Sequence, residues 1–204
     1  MQKIMFNDRY GLTQAVIEGR KTMTRRLIPD EFFGLTWDTR GNTLVYENEY
    51  GDFIDVRLSK YTRYKVGEIV AVAQNYFSTY DESKWENGIW YNEFADGSDI
   101  TNHAGWLNKM LVKAEYMPHQ IRITGIRCER LQDISDEECL REGIRQFTPN
   151  FPKNFPIHPT HFVIGDILKD TPREAFASLI DKVYGRGTWK SNPWVVVYEF
   201  ELVK

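Results

Sequence analysis

Two cysteines and four histidines are the only thiol or imidazole metal ligands in this chain of 204 residues. Cys128 and Cys139 are not in a paired spacing, so neither a disulfide framework nor a zinc cluster is indicated. Free thiols in a reducing compartment are expected, hence a cytoplasmic location. His158 and His161 lie three apart, but no cysteine or third histidine stands near them. We therefore expect no metal site and no cofactor. No apolar run approaches the roughly 20 residues of a membrane span, and the N-terminus lacks a signal-peptide core, so no membrane partner is expected. A strong charge of either sign is missing too. The 26 Lys and Arg set against 29 Asp and Glu leave a net charge of −3. No global field draws such a chain onto nucleic acid, and that role would need a local basic patch. Internal repeats and low-complexity tracts are absent.

What is present fits one domain with sizeable insertions. Apolar residues make up 42% and charged residues 27%, the proportions of an ordinary globular chain. Aromatics reach 14%, with 6 Trp and 11 Tyr. They suit a surface that stacks on bases, and equally a β-sheet core, which is the commoner use.

Taken in order, Lys3–Phe6 reads as a strand, and Asn7 or Asp8 can cap a helix after it. Leu12, Ala15 and Val16 recur at i, i+3, i+4 on one face of that helix. Gly19 stands where helices end, since glycine takes the left-handed backbone cheaply. Thr22, Met23 and Thr24 then favour an extended chain. A hairpin is expected at Thr39–Asn42, within an insertion over about 28–60. Val66–Gln74 is a glycine turn into a nearly continuous apolar run, the mark of a buried central strand.

A second insertion, about 78–115, carries the hairpin signal Asn87-Gly88. It reads as a decorated loop or as a lid with Trp85, Trp90 or Tyr91 as a stacking wall. Gln120–Cys128 alternates until Gly125 shifts the phase, as a β-bulge does. Ser135-x-x-Glu138 is a capping box, and Gly143 closes its helix. Residues 145–170 hold four prolines and little periodicity, and read as a long ordered loop. Thr171-Pro172-Arg173-Glu174 opens a helix with Phe176, Leu179, Ile180 and Val183 on one face, stopped by Gly185. The strand Trp194–Leu202 follows, with Trp194, Val196, Tyr198, Phe200 and Leu202 on one side. Five strands with about three helices between them fit an α+β fold, a small mixed barrel in a single domain spanning residues 1–204.

The richest stretch is Val16–Arg26. It sets a lysine, two threonines and three arginines at a helix-to-strand corner. Basic residues at a helix C-terminus complement its dipole, and edge strands carry charge against aggregation, so a bland reading exists. However, Gly19-x-Lys21-x-x-Thr24-x-Arg26 resembles the Gly-x-Lys-x-x-Glu-x-Arg signature of the ASCH domain family, small barrels related to the PUA RNA-binding fold. Thr24 replaces the usual glutamate, which is similar to the ASCH branch acting as amidohydrolases on N-acetylated cytidine. Asp133-Ile134-Ser135 through Glu142-Gly143-Ile144, and Asn192-Pro193-Trp194 through Phe200, resemble the family as well, and together the matches cover less than half the chain. Relatives often carry Arg-Glu where Ala73-Gln74 stands here.

That resemblance implies Lys21 as base, Thr24 as nucleophile and Glu142 as proton donor. The chemistry is coherent, because a lysine beside other cations or in a buried site loses basicity and can activate a hydroxyl. A carboxylate in the last turn of a helix faces the negative end of the dipole, which favours its protonated form. By spacing alone Glu142 would pass for a solvated surface residue. One demand is built in: residues three apart on a regular strand point to opposite faces. Lys21 must therefore belong to the turn after Gly19, or the strand must be bulged. Expected ligand contacts are Gly19, Arg25, Arg26, Gln74 and Trp90. Two functions stay open: an amidohydrolase acting on an N-acylated pyrimidine nucleoside, or a non-catalytic pocket for a nucleoside-like ligand or single-stranded RNA, with Arg25 and Arg26 on phosphate.

Overall fold

Short β-rich segments punctuated by glycine, with three amphipathic or capped helical stretches, fold into a mixed α+β structure. The computed structural model describes residues 1–28, 34–59, 62–79, 85–86, 89–90, 100–148 and 160–203. In chain order the elements begin with β1 (Lys3–Ile4), α1 (Leu12–Ile17) and β2 (Met23–Leu27). β3 (Thr36–Asp38), β4 (Thr43–Glu47), β5 (Phe53–Asp55), β6 (Ile69–Val72), β7 (Trp85–Glu86) and β8 (Ile89–Trp90) follow. Next come the long β9 (Gln120–Arg130), α2 (Asp136–Arg141), β10 (Arg145–Phe147), β11 (His161–Ile164) and β12 (Ile167–Lys169). α3 (Pro172–Tyr184), α4 (Thr188–Ser191) and β13 (Trp194–Leu202) complete the described chain.

The principal sheet has the order β1-β6-β9-β13-β2 and contains all five strands expected from the sequence. β1 and β6 run parallel, and the other pairings are antiparallel. Val195–Tyr198 at the centre of β13 is buried on both faces rather than on alternate residues. Each such aliphatic side chain contributes about 1.5–3 kcal/mol of burial free energy. The phase shift at Gly125 is a bulge: Glu199 pairs with Gly125 and Phe200 with Ile123, so β9 bends there. Among the described residues no backbone ladder joins the edge strands β1 and β2. A side-chain contact, Arg26 Nη2 to Met5 O at 2.7 Å, crosses that gap instead.

The first insertion is more than decoration. β3, β4 and β5 form a small antiparallel sheet, and its Leu44, with Val56 just after it, joins the main core. Trp37 of β3 stacks on Trp194 of β13, centroids 5.7 Å apart and planes within 3°. The expected hairpin is present, Asp38 pairing with Thr43. β7 and β8 pair antiparallel, Glu86 opposite Ile89, and Asn87-Gly88 between them lies outside the described residues. Residues 145–170 depart from the expected loop, because β10, β11 and β12 form a meander there. No described helix is long and apolar enough to cross a membrane.

Candidate functional site

The corner after α1 explains why a lysine can enter the interior. Gly19 takes φ +72°, and Lys21 N–H then closes the turn on Ala15 O at 2.8 Å. Thr22 N–H bonds Arg141 O at 2.9 Å, which ties the corner to the last residue of α2. The expected strand begins at Lys21, but β2 starts only at Met23, so Lys21 lies in the turn two residues before it. The geometric demand on Lys21 and Thr24 is met in this way, and both line one cavity with Glu142.

Glu142 arrives from α2. Ser135 caps that helix through a reciprocal box with Glu138, and Glu142 is its C-cap. The next residue, Gly143, has φ +104° and packs against α1: a Cβ there would come 3.3 Å from the Ala15 Cβ and 3.5 Å from that of Lys21. Only glycine lets the end of α2 approach Lys21 so closely.

Lys21, Thr24 and Glu142 are 2%, 5% and 3% exposed. Lys21 Nζ donates to Glu142 Oε2 at 2.5 Å and to the Glu142 backbone oxygen at 2.9 Å. Its ammonium also sits 5.7 Å from the Phe6 ring centroid. Burial lowers the Lys21 pKa, with Glu142 opposing that shift and the two arginines reinforcing it. The other oxygen of Glu142 accepts from Arg25 Nη1 at 3.1 Å. No described residue hydrogen-bonds the Thr24 hydroxyl. Because no fully buried side-chain polar atom among the described residues is left without a partner, that hydroxyl opens onto the cavity. The cavity holds about 50 Å³, with Phe6, Leu12 and Phe176 as apolar wall.

Arg25 does not lie in an open basic groove. Its side chain is 1% exposed. Nη2 reaches Glu129 at 2.6 Å and Glu138 at 2.7 Å, and Nε bonds Glu129 at 2.9 Å. These carboxylates, with Glu142, outweigh burial and hold its pKa up. Arg26 is half-buried on the cavity wall, its guanidinium spent on Met5 O and 5.8 Å from the Phe6 ring. Gly19 acts through its backbone turn. Gln74 lines a different cleft, on the other side of the 7–13 segment. Trp90 sits on β8, and its side chain lies outside the described residues. Lys21 and Thr24 share no hydrogen bond, because the amine is turned to Glu142.

Sequence reasoning assigned Glu138 an ordinary capping use and did not single out Glu129. Glu138 caps α2 and also accepts from Arg25 and Arg127. A signal did exist for it, since the box glutamate at N3 faces the same side of the helix as Glu142 four residues on. Both cysteines are buried, and burial pushes each thiol up to about 12, so neither is a nucleophile at neutral pH. His161 pairs with Asp170 at 3.0 Å, and His158 lies outside the described residues. No group of described His, Cys, Asp and Glu is placed to hold a metal ion. No protein-family model matches the chain, and no curated protein or solved structure matches it either.

Proposed function

We propose that the Lys21–Thr24–Glu142 cavity hydrolyses a linear amide on a small nucleoside-like molecule. The substrate class, an N-acylated pyrimidine nucleoside, comes from the resemblance to ASCH amidohydrolases. On this reading the principal sheet is a PUA-like barrel whose seam between β1 and β2 is bridged by Arg26. The observation that carries the proposal is the convergence of an open hydroxyl with a buried lysine and glutamate held at 2.5 Å, across 121 residues of chain.

The proton balance favours this set. An ammonium facing a carboxylate contains the same proton as an amine facing a carboxylic acid. Shifting that proton from Nζ to Oε2 therefore creates the base and the acid in one step. Burial lowers the pKa of Lys21, which eases the loss of its proton to Oε2. Neutral Lys21 takes the Thr24 proton as Oγ1 attacks the acyl carbon. Glu142 then protonates the departing nitrogen, and the C–N bond breaks. Water releases the acyl group from Thr24 by the same transfers in reverse. A cavity of about 50 Å³ accepts the acyl end and the scissile amide, and leaves the rest of the substrate outside.

The binding-module reading draws on a different observation, that Lys21 is engaged by Glu142 rather than by Thr24. Purified protein incubated with N-acylated cytidines decides between them. Release of the free acid, lost in Thr24→Ala and in Lys21→Met, supports hydrolysis. Saturable binding without turnover selects the module, and neither binding nor turnover rejects both.

A further inference from the structure

A second concavity lies behind the Lys21 cavity, between the polar face of α1 and the segment after β6. It measures about 290 Å³, and its polar lining is Asp8, Thr13, Gln14, Gln74, Asn75 and Ser78, with Gly11 and Ile17 completing the wall. That volume is close to the lower end for small-molecule sites, roughly 300 Å³. We propose that this cleft binds the vicinal hydroxyls of a neutral, pentose-sized sugar.

The floor carries the argument. Gln74 is 7% exposed, and its Oε1 takes up Nδ1–H of His119 at 2.7 Å. With the His119 proton on Nδ1, this contact is an N–H to Oε1 hydrogen bond and holds that end of the amide against the ring. The amide's Nε2 is thereby turned toward the cleft, and no described residue accepts from it. Beside it, Asn75 Oδ1 is used by Ser78 N–H at 2.7 Å, which leaves Asn75 Nδ2 as a second donor. The acceptor is Asp8. Its Oδ1 is taken by Thr13 Oγ1 at 2.5 Å and Lys109 Nζ at 2.7 Å, and its Oδ2 is left over.

Two amide donors and a carboxylate oxygen match a diol, whose hydroxyls both give and accept protons. Other ligand classes fit less well. An anion would need a cation, and the nearby Lys109 is spent on Asp8, Thr13 and the Phe6 carbonyl. A planar base would need a stacking wall, and none of the eight lining residues is aromatic. The chemistry is separate from that of the Lys21 cavity, so the site stands or falls independently of the amide reaction.

Titration of the full chain with D-ribose, cytidine and free cytosine, followed by ligand-observed NMR, tests the site. Ribose binding supports a free sugar as ligand. Cytidine binding without ribose binding supports a sugar carried on a nucleoside, provided that Gln74→Leu weakens it. In both cases Gln74→Leu weakens binding by about tenfold or more. Should Gln74→Leu fail to fold, Asn75→Ala at a half-buried position and Asp8→Asn at an exposed one take its place, each expected to weaken binding several-fold. Cytosine binding as tightly as cytidine, affinity indifferent to all three cleft variants, or no binding by ribose or cytidine would overturn the proposal.

Discussion

Two sets of ion pairs meet at Glu129 and Glu138, one removed from water and the other bathed in it. In the inner set the side chains of Lys21 and Arg25 are each 1% exposed and that of Glu142 is 4% exposed. In the outer set Arg127, Glu199 and Arg141 are 34%, 33% and 37% exposed. Arg127 touches Glu129, Glu138 and Glu199, so the two sets form one continuous lattice across β9, β13 and α2. The inner members give up hydration, which costs several kcal/mol per ion and is offset only if each partner stays in place. The outer members give up little and gain little. The outer pairing therefore adds little to stability, whereas the inner pairing holds only while every charge keeps its partner.

That contrast can be broken most sharply through turnover. Thr24→Ala, with N-acylated cytidine as substrate, should lower the rate of acid release roughly ten-thousand-fold while leaving the unfolding midpoint nearly unmoved. An unchanged rate would strip the inner set of its chemical role. Next in size is Glu142→Ala, which leaves Lys21 and Arg25 buried without their shared partner. Denaturant unfolding should show a loss of about 3–5 kcal/mol. The matching change in the outer set, Glu199→Ala, should cost no more than about 1 kcal/mol by the same measurement, and the gap between the two values tests the comparison directly.

pH sharpens it further. The Lys21–Glu142 pair must hold one proton to supply both base and acid, and burial lowers the Lys21 pKa from 10.5. The rate should therefore fall with rising pH at a value below 10.5, where the pair loses that proton. Activity that held to 10.5 or beyond would show a lysine with no loss of basicity. Smallest of all is salt. At 1 M, where screening acts over about 3 Å, the stability difference caused by Glu199→Ala should shrink and that caused by Glu142→Ala should persist.

Elements whose determinants are local could be read from the chain. The capping box at Ser135, the N-terminal proline and the apolar stripe of α3, the hairpin at Thr39–Asn42 and the bulge at Gly125 all depend on neighbours in sequence. The Lys21 turn was only half legible: the sequence left it open against a bulged strand, and the Thr22 bond to Arg141 that holds the corner comes from far along the chain. The three-stranded meander in 145–170 was not legible, because its strands are three or four residues long and mostly part-exposed, too short for alternation to register. Leu44 and Val56 looked like decoration for a similar reason, as their segments pack on β9 far along the chain. The burial of Arg25 was the least visible. An arginine reads as surface, and the three carboxylates that make its burial tolerable come 104, 113 and 117 residues later.

The stacked indoles of Trp37 and Trp194 give the molecule an optical handle. Two such chromophores 5.7 Å apart and nearly parallel couple their excited states, and their circular dichroism then reports the pair rather than either ring alone. One partner stands on the small sheet and the other on the central strand, so the band vanishes if the small sheet lifts away, even with both sheets intact. Undocking of this kind would pass unseen in a measurement of total secondary structure. Following the coupled band during heating or ligand addition therefore separates movement between the two sheets from melting of either one.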